Sequence, residues 1–210
     1  KYTPQITTRV HAGDGRILAE FKKEHRLFVP IGEIPDIVRV AFLSAEDKDF
    51  YTHPGIDVQA LTRAVFLNLK YLATGRRLVG GSTITQQVAK NFLLTNEVSY
   101  ERKIKEAILA FRIERALTKE QIFELYLNEI YLGEGTYGVA AAAMTYFGKS
   151  LTDLSIEEAA YLAALPKAPS NYHPIRQHAA AVGRRNWVIG RMAEDGWISQ
   201  TEAASSSASS

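Results

Sequence analysis

The chain of 210 residues contains no cysteine, so it has no disulfide framework and no metal site built on cysteine thiolates. It also lacks an uninterrupted apolar run long enough to span a bilayer. Neither sign of charge dominates, since the formal net charge is only +2. A charge this small does not indicate a nucleic-acid partner. The five histidines are scattered and form no metal-binding pattern such as HExxH, and no SxxK motif of a serine acyl-transfer enzyme is present.

The composition that is present suits one compact globular domain. Hydrophobic residues make up 46% and charged residues 23% of the chain, which is ordinary for a protein with a packed core. The chain starts at Lys1 without a methionine, so we expect a fragment or a processed form. The tail "AASSSASS" from Ala203 has low complexity. We therefore predict one domain over residues 1–202 and a linker or added tail over residues 203–210.

The pattern of apolar residues predicts a mainly α fold with a short N-terminal β-hairpin. Two β-prone runs flank Gly13-Asp14-Gly15, a hairpin signal. Helical spacing follows Pro35 and is predicted to stop at Pro54-Gly55. A second helix is predicted from about Asp57 to Thr74-Gly75, and a short third helix from Ser82 or Thr83 to Asn91.

The second half of the chain is predicted to be helical almost throughout. Ser99 is the expected cap of one helix, and Thr118 caps another that is apolar nearly all round and is expected to be central. A helix of small residues ends at Gly148, and further helices include one from about Gln177 to Asp195. The core stripe predicted for the helix after Ser99 consists of Ile104, Ala107, Ile108 and Phe111.

Three polar stretches are candidates for chemistry. In "EDKDFYTHPG", Glu46, Asp47 and His53 form either a solvated acidic helix end or a catalytic carboxylate with its supporting groups. In "GGSTITQQVAKN", helix capping explains the Gly-Ser-Thr but explains less well the glutamines and Lys90 that follow. In "YERKIKEAI", Arg102 and Glu106 share one helix face, which alone indicates only a weak surface ion pair.

Taken together and in order, these motifs resemble the glycosyltransferase module of class A penicillin-binding proteins and of monofunctional peptidoglycan glycosyltransferases, which form glycosyltransferase family 51. Two departures are Phe123 and Ile189, each in place of a leucine that the family usually has. The matching stretches are EDxxFxxHxG at 46–55, GxSTxTQQ at 80–87, RKxxE at 102–106, "KEQIFELYLN" at 119–128 and "RRNWVI" at 184–189.

The resemblance implies a lysozyme-like helical fold with two lobes and the polymerisation of lipid II. Such enzymes join disaccharide units into β-1,4-linked glycan strands with inversion at the anomeric carbon and release of undecaprenyl diphosphate. No covalent sugar intermediate is required. Mg²⁺ or Mn²⁺, bound with the substrate diphosphate, is the implied cofactor, and lipid II and the growing glycan strand are the implied partners.

The resemblance also assigns roles to residues. Glu46 is implied to be the general base, and Glu106 a second catalytic glutamate that holds a divalent metal or fixes the basic side chains. Lys90, Arg102 and Lys103 are implied to face the diphosphate. The remaining residues implied to bind substrate are Asp47, Phe50, His53, Ser82, Thr83, Gln86, Gln87, Asn91, Tyr126 and Asn128.

The implied location is the outer, periplasmic face of the bacterial cytoplasmic membrane. Relatives carry an N-terminal transmembrane anchor, which this chain lacks, and in bifunctional relatives a transpeptidase domain follows. Residues from about 66 to 79 combine apolar and basic side chains, so we predict that they contact the membrane surface. Nucleic acid is not an expected partner.

Two alternatives remain open at this stage. One is a lysozyme-like enzyme that cleaves glycan, which needs a carboxylic acid to protonate a sugar leaving group. The basic residues Lys90, Arg102 and Lys103 favour synthesis, because they suit a diphosphate leaving group. A diphosphate leaves without being protonated by a carboxylic acid. The other is a non-catalytic module that binds lipid II, and the presence of Glu46 and Glu106 argues against it.

Overall fold

The structure is a computed structural model that describes residues 8–11, 17–21, 25–59, 61–62, 81–92 and 100–209. Over these residues the fold is mainly α with a short N-terminal hairpin, as predicted. The strands are β1 Thr8–His11, β2 Ile17–Phe21, β3 His25–Arg26 and β4 Thr136–Tyr137. The helices are α1 Asp36–Glu46, α2 Ile84–Phe92, α3 Tyr100–Ala116, α4 Lys119–Glu129, α5 Val139–Phe147, α6 Ile156–Ala164, α7 His178–Glu194 and α8 Gln200–Ala208.

The strands form two small pairs. β1 and β2 are antiparallel, which confirms the predicted hairpin. β3 pairs in parallel with β4 and so brings the segment before α1 to the loop after α4. Asn128 at the end of α4 holds the same segment, since its side chain accepts from the Val29 amide at 2.8 Å and donates to the Val29 carbonyl at 2.9 Å.

The core is built from helices that pack around α1 and α4. α1 packs against α6 and α7, while α2 packs against α3 and α4. Phe42, Phe50, Phe123 and Tyr126 are fully buried, and the Phe123 ring lies 5.5 Å from that of Phe50 and 6.4 Å from that of Tyr126. This apolar centre holds the C-terminal end of α1 close to the start of α2.

Helix α1 is shorter than its sequence pattern predicts. It ends at Glu46, and Asp47 leaves the helical region with φ −162° and ψ 75°, whereas we predicted a helix up to Pro54-Gly55. The reason is a contact between residues far apart in sequence: the Asp47 carboxylate accepts from the Ile84 amide at 2.9 Å. Turns then carry the chain to Gly55, whose φ of +94° favours glycine.

Helix α3 buries a different face from the one that we predicted. Ile104, Ile108 and Phe111 were expected in the core, but they are 62%, 50% and 44% exposed. The buried side of α3 instead carries Glu106 and Ala110. The predicted core stripe was therefore wrong, because periodicity identifies an apolar face of a helix but not what that face contacts.

Several predicted helix ends are confirmed. Thr118 forms a capping box with Gln121 at the start of α4, and Gly148 ends α5 in the left-handed region with φ +64°. Residues 203–208 of the predicted tail are helical, because they belong to α8. α8 begins after Ser199, and Arg185 of α7 donates to its last carbonyl groups.

Other predictions fall outside the described residues. These are the turn at 13–15, most of the second helix, the membrane-contact segment at 66–79, the glycine-rich loop up to Gly80 and the cap at Ser99. Within the ranges that the structure covers, no helix is long and apolar enough to cross a bilayer.

Candidate active site

Glu46 is the last residue of α1 and lies against α2. Gln87 of α2 donates to one carboxylate oxygen of Glu46 at 2.8 Å. Burial raises the pKa of Glu46 above its usual range, and the charge of Asp47 adds to that rise. The hydrogen bond from Gln87 and the charges of Arg184 and Lys167 oppose the rise in part. Glu46 is therefore a better proton acceptor than a solvent-exposed glutamate.

Asp47 and His53 form a clamp directly behind Glu46. His53 Nε2 lies 2.8 Å and 3.0 Å from the two Asp47 oxygens, and the Gly55 amide donates to His53 Nδ1 at 3.2 Å. Nδ1 thus accepts, and Nε2 carries the proton that is donated to Asp47. Because Asp47 also accepts from the Ile84 amide, the clamp fixes the start of α2 against the end of α1.

Thr83 and Gln86 complete the start of α2. The Gln86 amide donates to Thr83 Oγ1 at 3.1 Å, and the Thr83 amide donates to the Gln86 side chain at 2.9 Å, which is a reciprocal cap. The Thr83 hydroxyl donates to the Gly55 carbonyl at 2.6 Å. These contacts orient α2, so that Gln87 reaches Glu46.

Glu106 is the second carboxylate of the site and is only 1% exposed. Lys103, one helical turn earlier, donates to one of its oxygens at 2.9 Å and lies 3.3 Å from the Ser82 hydroxyl. Among the described residues, the other Glu106 oxygen has no hydrogen-bond partner although it is buried. A buried carboxylate oxygen without a partner is costly, so this oxygen marks a polar group whose partner is not among the described residues.

Glu46, Gln87, Lys103 and Glu106 line one open cavity of about 410 Å³. It contains two acidic side chains and five basic ones, so its charge favours an anionic ligand. Seven of the predicted site residues lie in its wall, namely Glu46, Ser82, Gln87, Lys90, Arg102, Lys103 and Glu106. Glu46 and Glu106 are 60 positions apart in the chain, and both line this cavity.

The opposite wall contains residues that the sequence analysis did not assign. They are Pro166 and Lys167 after α6, and Arg184 and Trp187 on α7. The Arg184 guanidinium carbon lies 3.7 Å from the centre of the Trp187 ring. The available signal was the "RRNWVI" motif, in which Arg184 and Trp187 are three positions apart and so share a helix face.

The other predicted binding residues do not line this cavity. Asp47, His53, Thr83 and Gln86 make the contacts described above, and Phe50, Tyr126 and Asn128 are buried in the core or hold the chain before α1. Asn91 is exposed on α2. Tyr126 was expected in the cavity wall but is fully buried, and burial, followed by the charges of Glu46 and Asp47, raises its pKa well above the usual value.

The metal-binding prediction for Glu106 can be compared with the donor groups present. Within the described part of the chain, no three His, Asp or Glu side chains come together as a metal-binding group. One Glu106 oxygen is bound by Lys103, and the other is without a partner. The residues therefore fit a divalent cation that a diphosphate carries into the site, rather than one held by a protein cage.

Comparison with known proteins identifies the family of this chain. The family model described as "Transglycosylase" matches residues 14–193. This chain belongs to the transglycosylase family. The match confirms the family that the five motifs indicated, and it runs from the start of β2 to the last turn of α7.

Similar proteins carry the name penicillin-binding protein 1A. The protein from Rickettsia felis is 55% identical over 203 residues, which is 97% of this chain and 26% of that protein. The protein from Aquifex aeolicus is 50% identical over 197 residues, or 94% of this chain and 27% of that protein. The transglycosylase chain thus spans about a quarter of the length of these relatives.

A solved structure shares the fold. The crystal structure of penicillin-binding protein 1A from Haemophilus influenzae matches all of this chain and 21% of that chain, with a TM-score of 0.58 and 27% sequence identity. The likeness confirms the mainly α fold class of the transglycosylase domain.

Proposed function

We propose that this transglycosylase domain is a peptidoglycan glycosyltransferase that polymerises lipid II into β-1,4-linked glycan strands. The observation that carries the proposal is the cavity in which Glu46, with a raised pKa, faces five basic side chains. Family membership and the names of the relatives support the same activity.

The reaction transfers a glycosyl group from a lipid diphosphate to a hydroxyl. The 4-hydroxyl oxygen of the acceptor forms a bond to the anomeric carbon of the donor, and its proton goes to the Glu46 carboxylate. The bond between the anomeric carbon and the phosphate oxygen breaks, and undecaprenyl diphosphate leaves with the bonding electrons. Direct displacement of this kind inverts the anomeric centre.

The basic residues stabilise the leaving group. Lys90, Arg102 and Lys103 lie on the α2 and α3 side of the cavity, and we assign the departing diphosphate, with its growing charge, to this side. Lys103 also holds Glu106, so that the buried carboxylate orients an ammonium group at the cavity wall. Positive charge is best placed where negative charge develops in the transition state.

The raised pKa of Glu46 alone does not separate synthesis from cleavage, because a glycan-cleaving enzyme uses a carboxylic acid with a raised pKa. The charge of the cavity does separate them. A glycan offers no phosphate for five basic side chains to bind, whereas a lipid diphosphate does. The cavity therefore favours the synthetic reaction over the hydrolytic alternative.

Mg²⁺ or Mn²⁺ is proposed as the cofactor, carried on the substrate diphosphate. The cation would contact the Glu106 oxygen that has no partner among the described residues. When bound, it would supply further positive charge to the leaving group.

The domain is proposed to act at the outer face of the bacterial cytoplasmic membrane, since the lipid tail of its substrate resides in the bilayer. The exposed side of α3 supports this placement. Ile104, Ile108 and Phe111 form an exposed apolar stripe, and Arg112 and Arg115 are exposed on the same helix. Apolar side chains flanked by basic ones suit an interfacial helix, with each basic residue adding about 1 kcal/mol at an anionic surface.

The full-length protein is proposed to contain more than this domain. The chain spans only 26% of the Rickettsia felis penicillin-binding protein 1A. A transmembrane anchor and a transpeptidase domain are the proposed additions, and both follow from the family resemblance.

A turnover assay tests the proposed function against its alternatives. The chain is incubated with labelled lipid II in one reaction and with finished glycan in another. Polymer from lipid II, with no new ends in the glycan, is the expected result. New glycan ends would indicate the cleaving enzyme, and lipid II binding without turnover would indicate a binding module.

A further inference from the structure

The cavity has two walls of different character, and Glu46 lies between them. The α2 and α3 wall holds Lys90, Arg102 and Lys103, which suit the diphosphate of the donor. The other wall comes from the segment after α6 and from α7, two helices that both pack against α1. Glu46 contacts the first wall through Gln87 and interacts with the charges of Arg184 and Lys167 on the second.

Trp187 gives the second wall a flat apolar surface. It is 44% exposed and lines the cavity. Arg184 covers one face of the indole at 3.7 Å, so the exposed part belongs to the other face and the rim. The stacking also fixes the ring, because a guanidinium held against an indole restricts both side chains.

Arg184 brings an unsatisfied donor to the same wall. Its Nε is buried and has no hydrogen-bond partner among the described residues. Burial lowers the pKa of this guanidinium, and the nearby Glu46 carboxylate opposes that effect. A buried N–H group without a partner is costly, and the hydroxyl oxygen of a ligand would satisfy it.

We propose that Trp187, fixed by Arg184, is the stacking surface for the sugar ring whose hydroxyl is presented to Glu46. A pyranose ring has one face of C–H groups, which packs on an aromatic ring, and hydroxyls at its edge, which reach Arg184 and Lys167. This inference rests on the proposed function, since the diphosphate side of the cavity is occupied by the donor. We therefore assign the acceptor sugar to the wall that contains Trp187.

The test uses fluorescence, because the chain has only two tryptophans. The Trp197→Phe variant leaves Trp187 as the only indole, and Trp197 does not line the cavity. A lipid-free oligosaccharide of alternating N-acetylglucosamine and N-acetylmuramic acid is titrated into this variant. It cannot act as a donor because it lacks a diphosphate. Saturable change in the Trp187 emission is the expected result.

Activity variants then separate stacking from folding. Trp187→Ala is expected to weaken oligosaccharide binding, measured by calorimetry, about tenfold, and to raise the KM for lipid II more than it lowers kcat. Trp187→Tyr should recover most of that loss, because it restores an aromatic face. Trp197→Ala is the matched control and should leave both quantities unchanged. Thermal unfolding verifies that each variant is folded.

The outcomes distinguish this inference from the proposed function. If the unmodified chain polymerises lipid II but Trp187→Ala binds the oligosaccharide normally, the stacking role is wrong and the proposed function stands. If the unmodified chain does not polymerise lipid II but binds the oligosaccharide through Trp187, the sugar surface is upheld and the proposed reaction fails. Equal loss in Trp187→Ala and Trp187→Tyr would also contradict stacking.

Discussion

At the residue scale, the chemistry of the site depends on how two glutamates are surrounded. The Glu46 carboxylate accepts a hydrogen bond from the Gln87 amide, and burial raises its pKa. Glu106 is almost fully buried and is paired with Lys103. The first has the environment of a base, and the second orients positive charge. The motifs identified both residues and also contained Arg184 and Trp187, but the stacking of that pair could not be read from their three-residue spacing.

The raised pKa of Glu46 predicts that Glu46→Gln stabilises the fold at neutral pH. Below the usual pKa of a glutamate, Glu46 is protonated in both the folded and the unfolded state and costs nothing. As the pH rises through the higher pKa of the folded state, a buried charge appears and stability is lost. The variant avoids that loss and can keep the contact with Gln87.

The measurement is thermal unfolding of both proteins between about pH 4 and pH 8, a range that starts near the usual glutamate pKa. The melting temperature of Glu46→Gln should exceed that of the unmodified chain at pH 8, and the gap should close toward pH 4. A gap that grows as the pH falls would contradict the raised pKa.

The basic residues are predicted to act on the leaving group rather than on binding alone. Lys90→Gln should lower kcat by about tenfold or more and change donor affinity less, because charge on the diphosphate grows in the transition state. Steady-state kinetics with lipid II, together with donor binding, measure both effects. Lys105→Gln is the control, since Lys105 lies on α3 outside the cavity wall. An effect on affinity alone, with kcat unchanged, would make Lys90 a binding residue only.

At the element scale, the site depends on the junction between the end of α1 and the start of α2. Asp47 and His53 close this junction through contacts that span up to 37 residues. The helix pattern that follows Pro35 could not reveal where α1 ends, because the contact with Ile84 lies outside any local window. The caps at Thr83 and Thr118 were predictable, because capping depends on neighbouring residues.

The junction predicts a large stability cost for Asp47→Ala. The change leaves the Ile84 amide and His53 Nε2 without their acceptor, which should lower the free energy of unfolding by roughly 2–4 kcal/mol. Urea unfolding measures this cost. Asp49→Ala is the matched control, because the Asp49 carboxylate makes only an exposed contact with Lys48 and should cost less than about 1 kcal/mol. Equal costs for the two variants would contradict the role of the clamp.

At the scale of the whole molecule, one helix separates the cavity from an exposed apolar surface. α3 presents Lys103 and Glu106 to the cavity, and Ile104, Ile108 and Phe111 to the outside. We predicted this stripe in the core, because the apolar face of a helix in a globular domain is normally buried. The mainly α class could be predicted from periodicity. Which face of α3 is buried could not, because periodicity places the charged Glu106 on the exposed face, whereas Glu106 is buried.

The exposed stripe predicts that α3 contributes to membrane binding. Replacing Ile108 and Phe111 together with serine should weaken binding to vesicles that contain anionic lipid by about tenfold, because two exposed apolar side chains can no longer enter the interface. Sedimentation with vesicles measures the binding. Ile175→Ser is the control, since Ile175 is 84% exposed but lies outside α3. Unchanged vesicle binding by a folded double variant would remove α3 from the membrane surface.

The central claim is that Glu46 is the base of a glycosyl transfer, and one measurement tests it most directly. Polymerisation of labelled lipid II is compared between the unmodified chain and Glu46→Gln, with donor binding measured on the same preparations. The account predicts that the variant binds the lipid diphosphate normally and loses at least about a hundredfold in rate, because the amide cannot accept the acceptor's proton. Near-normal polymerisation by Glu46→Gln would contradict it.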